Sequence, residues 1–473
     1  MRRKSIDEGP RFNTVIPVSP TPELNTTAHW ISEYVNTTPK SKKLFERSRQ
    51  SITGGVNYGL RYFEPYPPFM TRGRGCFVED VDGNRYLDFW IGHLALIMGH
   101  AYPKVAQAAA AQLRDGAHLG FEQEWEVRLA EQVKRMIPSI ELIRFTNSGT
   151  EANMYATRVA RTYTSRKLVA KFEGGWHGGF DSLHKAVSFP FSEASSAGLP
   201  KEIQDLTLIL PFNDVDAATR VIRREKPAAV VLDTIPGYGG FIPASNEFVK
   251  GVREACTAVD TLLILDEVIS GFRLSPGGAQ ALYGVKPDLT ILGKIVGGSM
   301  FPAGAFGGRR EIMELIDQTR YKEAHRRSFH GGTYSGNPMV ARAGYTLLKE
   351  LEDGSVQRRL DQLGDLMREE LEQVFHSNRV AAHVTGRSSL LGIQFMSKVP
   401  RSARESFEQG DNAMTEALFY FMLANGVIYM SPGKPDIGLC ASHTRAHVEK
   451  FVGLTEKFAK AMKREGSLSR SSA

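Results

Sequence analysis

The stretch TLLILDEVISGF, residues 261–272, decides the fold. Four apolar residues run directly into Asp266, which predicts a buried strand that ends at a carboxylate. A second stretch, DLTILGKIVGGS at residues 288–299, has the same form, because its apolar run ends at Gly293 and is followed by Lys294. Strands that are apolar on both faces are typical of a parallel sheet covered by helices on both sides.

Alternating strands and helices extend this pattern upstream. Apolar runs predict strands, and apolar residues at helical spacing predict helices between them. The strands are predicted within residues 141–149, 167–179 and 227–237, and the helices within residues 150–164 and 246–259. Such alternation indicates βαβ units and therefore a mostly parallel sheet.

The two ends of the chain carry shorter elements. The segment GCFVEDVDGNRYLDFW, residues 75–90, predicts a β-hairpin that turns at Asp82–Gly83. Helical spacing covers residues 104–136 and 339–376, and short strands mix with helices over residues 385–463.

These patterns predict an α/β protein with two domains and an extension. The large domain, residues 104–350, carries the mostly parallel sheet. A small α/β domain combines residues 41–103 with residues 351–473. Residues 1–40 are polar and weakly periodic, so we expect an N-terminal extension that is partly disordered or lies as an arm on a partner subunit.

Composition narrows the functional classes. The chain has 473 residues, of which 42% are hydrophobic and 23% charged, as in soluble globular proteins. The net charge of +7 is spread along the chain, so no nucleic acid partner is expected. No apolar run approaches about 18 residues, so no membrane helix is expected. The N-terminal MRRKSIDEGP lacks the apolar segment of a secretory signal.

The cysteines indicate a reducing compartment, which we take to be the cytoplasm. Cys76, Cys256 and Cys440 are few, far apart and without a CxxC pair. This argues against both a disulfide framework and a zinc site, and no metal is expected.

Polar residues stand where strands of an open α/β sheet end, which is where ligands bind in such sheets. In NSGTEA, residues 147–152, the hydroxyls of Ser148 and Thr150 and the backbone of Gly149 precede a helix. They could hold a phosphate at the helix N-terminus. Ordinary N-capping explains the same residues, and taken alone it is the simpler interpretation.

Asp266 and Lys294 end two strands separated by one crossover. A carboxylate at that position needs a cationic partner, which a protonated pyridine nitrogen would supply; a structural ion pair or a bound metal are the alternatives. A partly desolvated lysine can form a Schiff base, whereas a lysine that reaches the surface is the alternative.

Three further residues complete this set of candidates. Trp176 could stack on a flat heterocycle or could be a core tryptophan, and His177 beside it is ambiguous. Thr333, in GGTYSGNP at residues 331–338, could donate to a phosphate or could belong to a simple turn. Jointly, the candidates describe a phosphorylated pyridine that carries an aldehyde, which is pyridoxal 5'-phosphate.

The motifs NSGTEA, GWHGG, LDEVISGFR, LGKIVGGS, AGAFGGRREIM and GGTYSGNP resemble those of the class III (subgroup II) aminotransferases of fold type I, from about residue 50 to residue 460. Within the class, the resemblance is to glutamate-1-semialdehyde 2,1-aminomutase and to the D-phenylglycine and β-phenylalanine aminotransferases. The resemblance implies a homodimer with active sites at the subunit interface.

The resemblance also implies residue roles. Lys294 would form the Schiff base and carry protons, and Asp266 would keep the pyridine nitrogen protonated. Ser148, Gly149 and Thr150 would bind the phosphate. The remaining cofactor contacts would come from Trp176 and Val268 on the two faces of the ring, from His177, and from Thr333 of the other subunit. Beside these residues, the glycines at 293, 297 and 298 are expected to leave room for the cofactor and for the sharp turn next to it.

On the substrate side, GGVNYGLRYF at residues 54–63 resembles an aminomutase pattern, and Arg61 falls on the arginine that binds the substrate carboxylate. Tyr58 stands where that pattern has serine. His93 stands where it has tryptophan, which fits the D-phenylglycine aminotransferases better. Asp233-Thr234 replaces the usual Glu-Pro.

We therefore expect an aminotransferase that moves an amino group from an amino acid, aromatic, D- or β-, to a 2-oxo acid. Intramolecular amino transfer of the glutamate-1-semialdehyde 2,1-aminomutase type is the alternative. A non-catalytic relative that only binds or regulates would have lost Lys294 or Asp266, and both are present.

Overall fold

The computed structural model describes residues 25–433 and 436–464. Its strands form three sheets. The strands are β1 (Met70–Arg74), β2 (Phe77–Asp80), β3 (Arg85–Asp88), β4 (Leu142–Thr146), β5 (Val169–Phe172), β6 (Thr207–Leu210), β7 (Ala229–Leu232), β8 (Leu262–Glu267), β9 (Leu289–Gly293), β10 (Gly304–Gly308), β11 (His383–Arg387), β12 (Leu390–Gln394), β13 (Val427–Ile428) and β14 (Asp436–Gly438).

Sixteen α-helical segments in the described residues surround these sheets. They are α1 (Asn25–Thr37), α2 (Pro39–Ser48), α3 (Ile91–Leu94), α4 (Pro103–Asp115), α5 (Glu124–Met136), α6 (Gly149–Thr164), α7 (Lys201–Gln204), α8 (Val215–Glu225), α9 (Asn246–Ala258), α10 (Gly278–Tyr283), α11 (Arg310–Met313), α12 (Pro338–Leu351), α13 (Ser355–Asn378), α14 (Ala403–Gln409), α15 (Asn412–Ala424) and α16 (Arg445–Arg464). None of them is both long and apolar enough to cross a membrane.

The largest sheet has seven strands in the order β4-β10-β9-β8-β7-β5-β6. The pairs β9–β8, β8–β7, β7–β5 and β5–β6 are parallel. Every residue of β8 and β9 is buried, as the apolar runs at residues 262–265 and 289–292 predict. The predicted α/β fold with a mostly parallel sheet is confirmed.

The strand β10 is antiparallel to both of its neighbours, β4 and β9, and the sequence patterns did not predict it. Its sequence, GAFGG, has three glycines, and each lies against backbone. A Cβ atom on Gly304 would come within 2.2 Å of the Ser148 carbonyl oxygen, and one on Gly308 within 2.1 Å of the Asp288 carbonyl oxygen. The glycines therefore let this strand fit between its neighbours.

The two small sheets join distant parts of the chain. The predicted hairpin forms from β2 and β3, and β13, more than 330 residues later, pairs parallel to β3. The third sheet consists of β11, β12 and β14. The domain boundaries at residues 40, 103 and 350 remain predictions.

The helix α1 differs from the extension expected for residues 1–40. Trp30 and Tyr34 on α1 are buried. The Trp30 ring packs edge-on against Phe421 of α15, with centroids 5.0 Å apart, and lies 5.9 Å from Phe458 of α16. This part of the chain thus packs on its own C-terminal helices. Residues 1–24 lie outside the described residues.

Candidate active site

A cavity of about 350 Å³ lies at the carboxyl ends of β7, β8 and β9. It collects eight of the nine cofactor-binding residues expected from the sequence and leaves out Thr333. The eight are Ser148, Gly149, Thr150, Trp176, His177, Asp266, Val268 and Lys294. Parallel strands place their carboxyl ends at one sheet edge, which is why residues so distant in sequence meet here.

Asp266 is held by three hydrogen bonds. Its Oδ2 accepts from Nδ1 of His177 at 2.7 Å and from Nδ2 of Asn153 at 3.0 Å, and its Oδ1 accepts from the amide of Val268 at 3.1 Å. Burial acts to raise the pKa of Asp266, but these hydrogen bonds and His177 together hold it below its ordinary value. Burial also lowers the pKa of His177, against the pull of Asp266. The pair is therefore a neutral imidazole that donates to a carboxylate.

Lys294 directly follows β9 and has a positive φ of 47°. Burial lowers the pKa of its amine to about 8, while the carboxylates of Asp266 and Asp233 act in the opposite direction. An amine with this pKa is partly neutral at neutral to mildly basic pH, so it can act as a nucleophile or a base.

Asp233 is a residue whose place in the site the sequence reasoning missed. It directly follows β7 and lines the same cavity as Lys294. Burial and the Asp266 carboxylate raise the pKa of Asp233 to about 7. The signal was present, because Asp233 follows the apolar run AAVVL much as Asp266 follows LLIL.

The N-terminus of α6 faces the cavity through Ser148, Gly149 and Thr150. Ser148 is the N-cap, and its Oγ accepts from the amide of Glu151 at 3.1 Å. The capping interpretation is thus realised, yet the amides of Gly149 and Thr150 precede the first intrahelical hydrogen bond, from Ala152 to Ser148. Capping and anion binding are therefore compatible at this helix end.

Trp176 is not a core residue, since 39% of its surface is exposed and it lines the cavity. Val268 packs on two glycines: a Cβ on either Gly149 or Gly293 would come within 2.9 Å of it. Gly293 was expected to leave room for a cofactor. In the structure, the space beside it is occupied by the Val268 side chain.

The glycines that follow Lys294 likewise make room for protein. A Cβ on Gly297 would approach Cβ of Ala303 to 2.6 Å. Gly298 has a positive φ of 73° and packs on the backbone of Ala343 in α12. These two positions allow a tight turn against α12, as the sequence led us to expect, and the room they leave is occupied by protein atoms.

Lys171, inside the apolar strand β5, holds the loop that carries Trp176 and His177. Its fully buried Nζ donates to the carbonyl oxygens of Gly175 at 2.7 Å, Leu183 at 3.0 Å and Lys185 at 2.7 Å. The three acceptors match the three donors of an ammonium group. A lysine within an apolar strand is a sequence signal that could have identified this role.

Thr333 is exposed and does not line the cavity of its own chain. It precedes Tyr334, whose ring lies 4.8 Å from that of His118. Its contact with a phosphate across a subunit interface stays a prediction.

A second cluster consists of Arg61, Tyr58 and His93. Nε of Arg61 donates to Nε2 of His93 at 3.2 Å, and the rings of Tyr58 and His93 lie 5.5 Å apart. Burial, with the positive charges of Arg61 and then Lys294, lowers the pKa of His93 to about 4. His93 is therefore neutral. Ala95, two residues after His93, lines the cofactor cavity, so this cluster adjoins it.

His93 lies in a strained turn, α3. Four consecutive residues have positive φ: Ile91 at 44°, Gly92 at 61°, His93 at 58° and Leu94 at 66°. The left-handed region costs roughly 1–2 kcal/mol for each residue other than glycine. Asp88 offsets part of this cost at the start of the turn, where its Oδ1 accepts from the amides of Trp90 at 2.7 Å and of Ile91 at 3.0 Å.

The parallel sheet and the lysine and aspartate at its strand ends define a cofactor-dependent α/β enzyme. The sequence profile described as Aminotransferase class-III matches residues 61–461. The chain belongs to the class III aminotransferases, and the cofactor of this family is pyridoxal 5'-phosphate.

Individual relatives cover nearly the whole chain. A glutamate-1-semialdehyde 2,1-aminomutase of Archaeoglobus fulgidus is 37% identical over 87% of this chain and 97% of its own. An omega-transaminase from Sphaerobacter thermophilus has a TM-score of 0.83 at 36% identity, over 90% of this chain and 97% of its own. A beta-phenylalanine aminotransferase from Variovorax paradoxus has a TM-score of 0.85 at 31% identity, over 93% of this chain and 98% of its own.

The residues of the cavity fit this cofactor. The first-turn amides of α6, which have no intrahelical acceptor, suit a phosphate, Asp266 suits a protonated ring nitrogen, and Lys294 suits an aldehyde. In addition, the buried Oγ of Ser299 lines the cavity and has no hydrogen-bond partner among the described residues. An unsatisfied buried hydroxyl in a polar cavity is what a bound polar ligand would satisfy.

Proposed function

We propose that this protein is an aminotransferase that moves an amino group from a carboxylate-bearing amino acid to a 2-oxo acid. The observation that carries the proposal is the junction of two clusters: Lys294 and Asp266 in the cofactor cavity, with Arg61 and His93 beside them. The first cluster suits amine chemistry on the cofactor, and the second suits a carboxylate.

The residue roles follow from their surroundings. When bound, pyridoxal 5'-phosphate supplies an aldehyde that condenses with amines and a ring that withdraws electrons from the adjacent carbon. Asp266, kept ionised by its hydrogen bonds, would hold a proton on the ring nitrogen. Nζ of Lys294 would hold the cofactor through its aldehyde, and once a substrate amine has displaced it there, the freed amine would carry a proton between the substrate and the cofactor. Ser148, Gly149 and Thr150 would bind the phosphate.

Substrate recognition is assigned to Arg61 with Tyr58 and His93. The guanidinium of Arg61 is held by neutral His93, which accepts its Nε–H and leaves the remaining N–H groups for a carboxylate. Aromatic rings line this side, since Trp90 and His93 lie 4.6 Å apart. An aromatic amino acid, including a D- or β-amino acid, is the proposed donor.

Intramolecular amino transfer is the second candidate, and the 37% identity to a glutamate-1-semialdehyde 2,1-aminomutase favours it. The two reactions would use the same cavity residues. They differ in whether the deaminated product leaves before the amino group returns.

Single-substrate incubation separates the two candidates. The cofactor-loaded enzyme is mixed with one amino acid and no acceptor, over a panel that includes L-, D- and β-phenylalanine. Transamination releases the oxo acid in an amount equal to the number of sites, and pyruvate or 2-oxoglutarate then allows turnover. An isomerised amino acid with no released oxo acid contradicts transamination. Lys294→Ala serves as the inactive control.

A homodimer is proposed on the basis of an exposed apolar patch formed by Leu119, Phe121 and Tyr334. Their exposed fractions are 49%, 92% and 58%. The segment that carries Leu119 and Phe121 meets the segment that carries Tyr334 through Nδ2 of Asn337, which donates to the Ala117 carbonyl at 2.6 Å. Such a patch is typical of a protein interface, and a second copy here would cover it. Thr333 borders Tyr334, so this contact would bring Thr333 towards the partner's cavity.

A cytoplasmic location is proposed from the thiols. Cys76, Cys256 and Cys440 are all free and buried. Free cysteines in the absence of disulfides support a reducing compartment.

A further inference from the structure

We propose that Arg273 is a positioning residue for the substrate carboxylate, because it fixes the left-handed turn that holds His93 against Arg61. This inference rests on the proposed role of Arg61 and extends it to a residue outside both clusters. Arg273 closes the motif LDEVISGFR and has no assigned part in the chemistry described above.

The guanidinium of Arg273 is buried among neutral acceptors. The side chain has 0% exposure, and it donates to two backbone carbonyls and one hydroxyl. Its Nη2 donates to the carbonyl of Leu94 at 2.7 Å, and its Nη1 donates to the carbonyl of Leu439 at 3.1 Å and to Oγ of Ser389 at 3.2 Å. Nε of Arg273 has no partner among the described residues, so the acceptors of Nη1 and Nη2 alone fix where this buried guanidinium lies.

The hydrogen bond to Leu94 holds the last residue of α3. Local preference disfavours this turn, because Ile91, His93 and Leu94 all have positive φ. A strained segment persists only where its surroundings hold it. Asp88 holds the start of the turn through two amides, and Arg273 holds its end. His93 lies between these two anchors.

The effect on the substrate side passes through His93. Its Nε2 accepts from Arg61, and its ring packs between Tyr58 at 5.5 Å and Trp90 at 4.6 Å. If the turn relaxes, φ of His93 changes sign and the imidazole leaves Arg61. The guanidinium of Arg61, which is otherwise exposed, then loses its orientation. A misplaced binding group weakens substrate binding while leaving the cofactor residues in place.

Two variants of Arg273 test the proposal, Arg273→Gln and Arg273→Lys. The lysine variant keeps the buried charge but not the fork of donors, so it isolates geometry from charge. Arg359→Gln is the matched control. The Arg359 guanidinium also donates to two backbone carbonyls of the same C-terminal segment, those of Ala441 at 2.8 Å and His443 at 2.9 Å, and the turn is not among its partners.

Two readouts are measured on the cofactor-loaded enzyme. One is KM and kcat for an amino acid substrate, and the other is the Kd of phenylacetate, an unreactive carboxylate, by calorimetry. Both Arg273 variants should raise KM and Kd by between about tenfold and a hundredfold, with a smaller change in kcat, and Arg359→Gln should change neither. If Arg273→Gln does not fold, Arg273→Lys carries the test.

A double variant separates this inference from the function on which it rests. In an Arg61→Ala background, Arg273→Lys should change KM by less than about twofold, because its effect passes through Arg61. Additive effects in the double variant, or an unchanged KM in both Arg273 variants, overturn the inference. An unchanged KM and Kd in Arg61→Ala alone would instead overturn the proposed carboxylate site.

Discussion

Nδ1 of His177 donates to Oδ2 of Asp266 across 2.7 Å, and both side chains are buried. The imidazole uses its one N–H on this bond and thereby holds the carboxylate in its ionised form. His177, which the sequence left ambiguous, thus contacts the residue proposed to pair with the cofactor nitrogen. The negative charge available to the cofactor nitrogen therefore depends on the hydrogen bond between His177 and Asp266.

The first prediction concerns this hydrogen bond. His177→Phe should retain the cofactor and lose roughly 10–100-fold in turnover, as for other partners that orient a buried ligand-binding group. Asp266→Asn should lose more, about 100–1,000-fold, because the charge itself is removed. Steady-state kinetics with matched cofactor occupancy checks both. A His177→Phe enzyme as active as wild type would show that Asp266 needs no such support; the exposed His376→Gln is the control.

Lys294 is predicted to be the attachment point of the cofactor. Lys294→Ala should lose at least about a thousandfold in turnover, since both the nucleophile and the proton carrier are removed. Borohydride reduction followed by peptide mass spectrometry should place the cofactor on Lys294 in wild type and on no lysine in the variant. Lys286→Ala, which removes an exposed lysine 3.8 Å from Glu141, should behave as wild type. Label on another lysine would reassign the site.

The pH dependence of cofactor loading follows from the lowered pKa of Lys294. Only the neutral amine attacks an aldehyde, so the loading rate of cofactor-free protein should rise about tenfold per pH unit and level off above the pKa. The lowered pKa places that plateau near pH 8, whereas an ordinary lysine, at 10.5, would still be rising there. Stopped-flow absorbance over a pH series measures the rate.

A variant of Asp233 tests whether its charge raises or lowers the pKa of the Lys294 amine. The Asp233 carboxylate favours the protonated amine of Lys294, so its charge raises the amine pKa. Asp233→Asn removes that charge and should move the plateau to lower pH. A shift to higher pH would contradict this electrostatic relation.

The apolar patch is predicted to form the dimer interface. Phe121→Asp should place a charge in the buried contact and shift the protein towards monomer, with weaker cofactor binding because Thr333 of the second copy is lost. Light scattering after size-exclusion chromatography measures the assembly, and equilibrium dialysis measures cofactor binding. Val399→Asp changes another exposed apolar residue, 58% accessible, and serves as the comparison. A dimer unaffected by Phe121→Asp would move the interface elsewhere.

The packing of α1 gives a stability prediction. Trp30→Ala should destabilise the fold by about 3–5 kcal/mol, because it empties a contact with the aromatic rings of Phe421 and Phe458. His29, its exposed neighbour on the same helix, should tolerate alanine with little change. Thermal unfolding of the two variants against wild type decides whether residues 25–37 belong to the core.

The strand-end residues could be predicted because their signal is local. The apolar runs before Asp266 and Lys294 indicate buried strands, and β8 and β9 are in fact neighbours in the sheet. Chemistry then restricts what a carboxylate and an amine can do together at that edge. Asp233 carries the same local signal, because it follows the apolar run AAVVL.

Other features depend on contacts that no local pattern shows. The run GAFGG of β10 has neither helical nor strand periodicity, and its place follows from close backbone approach on both sides. The left-handed turn at residues 91–94 contradicts local backbone preference. One of the hydrogen bonds that hold it comes from Arg273, which is 179 residues from Leu94 in sequence. Tertiary hydrogen bonds override propensity at such sites.

The pairing of β3 with β13 sets an order of events during synthesis on the ribosome. The residues that line the cofactor cavity all lie between residues 95 and 303, so they leave the ribosome before β13 does. The strand β13 and the Leu439 contact of Arg273 emerge only in the final tenth. A ribosome stalled before residue 427 would therefore present a nascent chain that holds every residue lining the cavity but lacks the partner of β3 and one of the acceptors of Arg273.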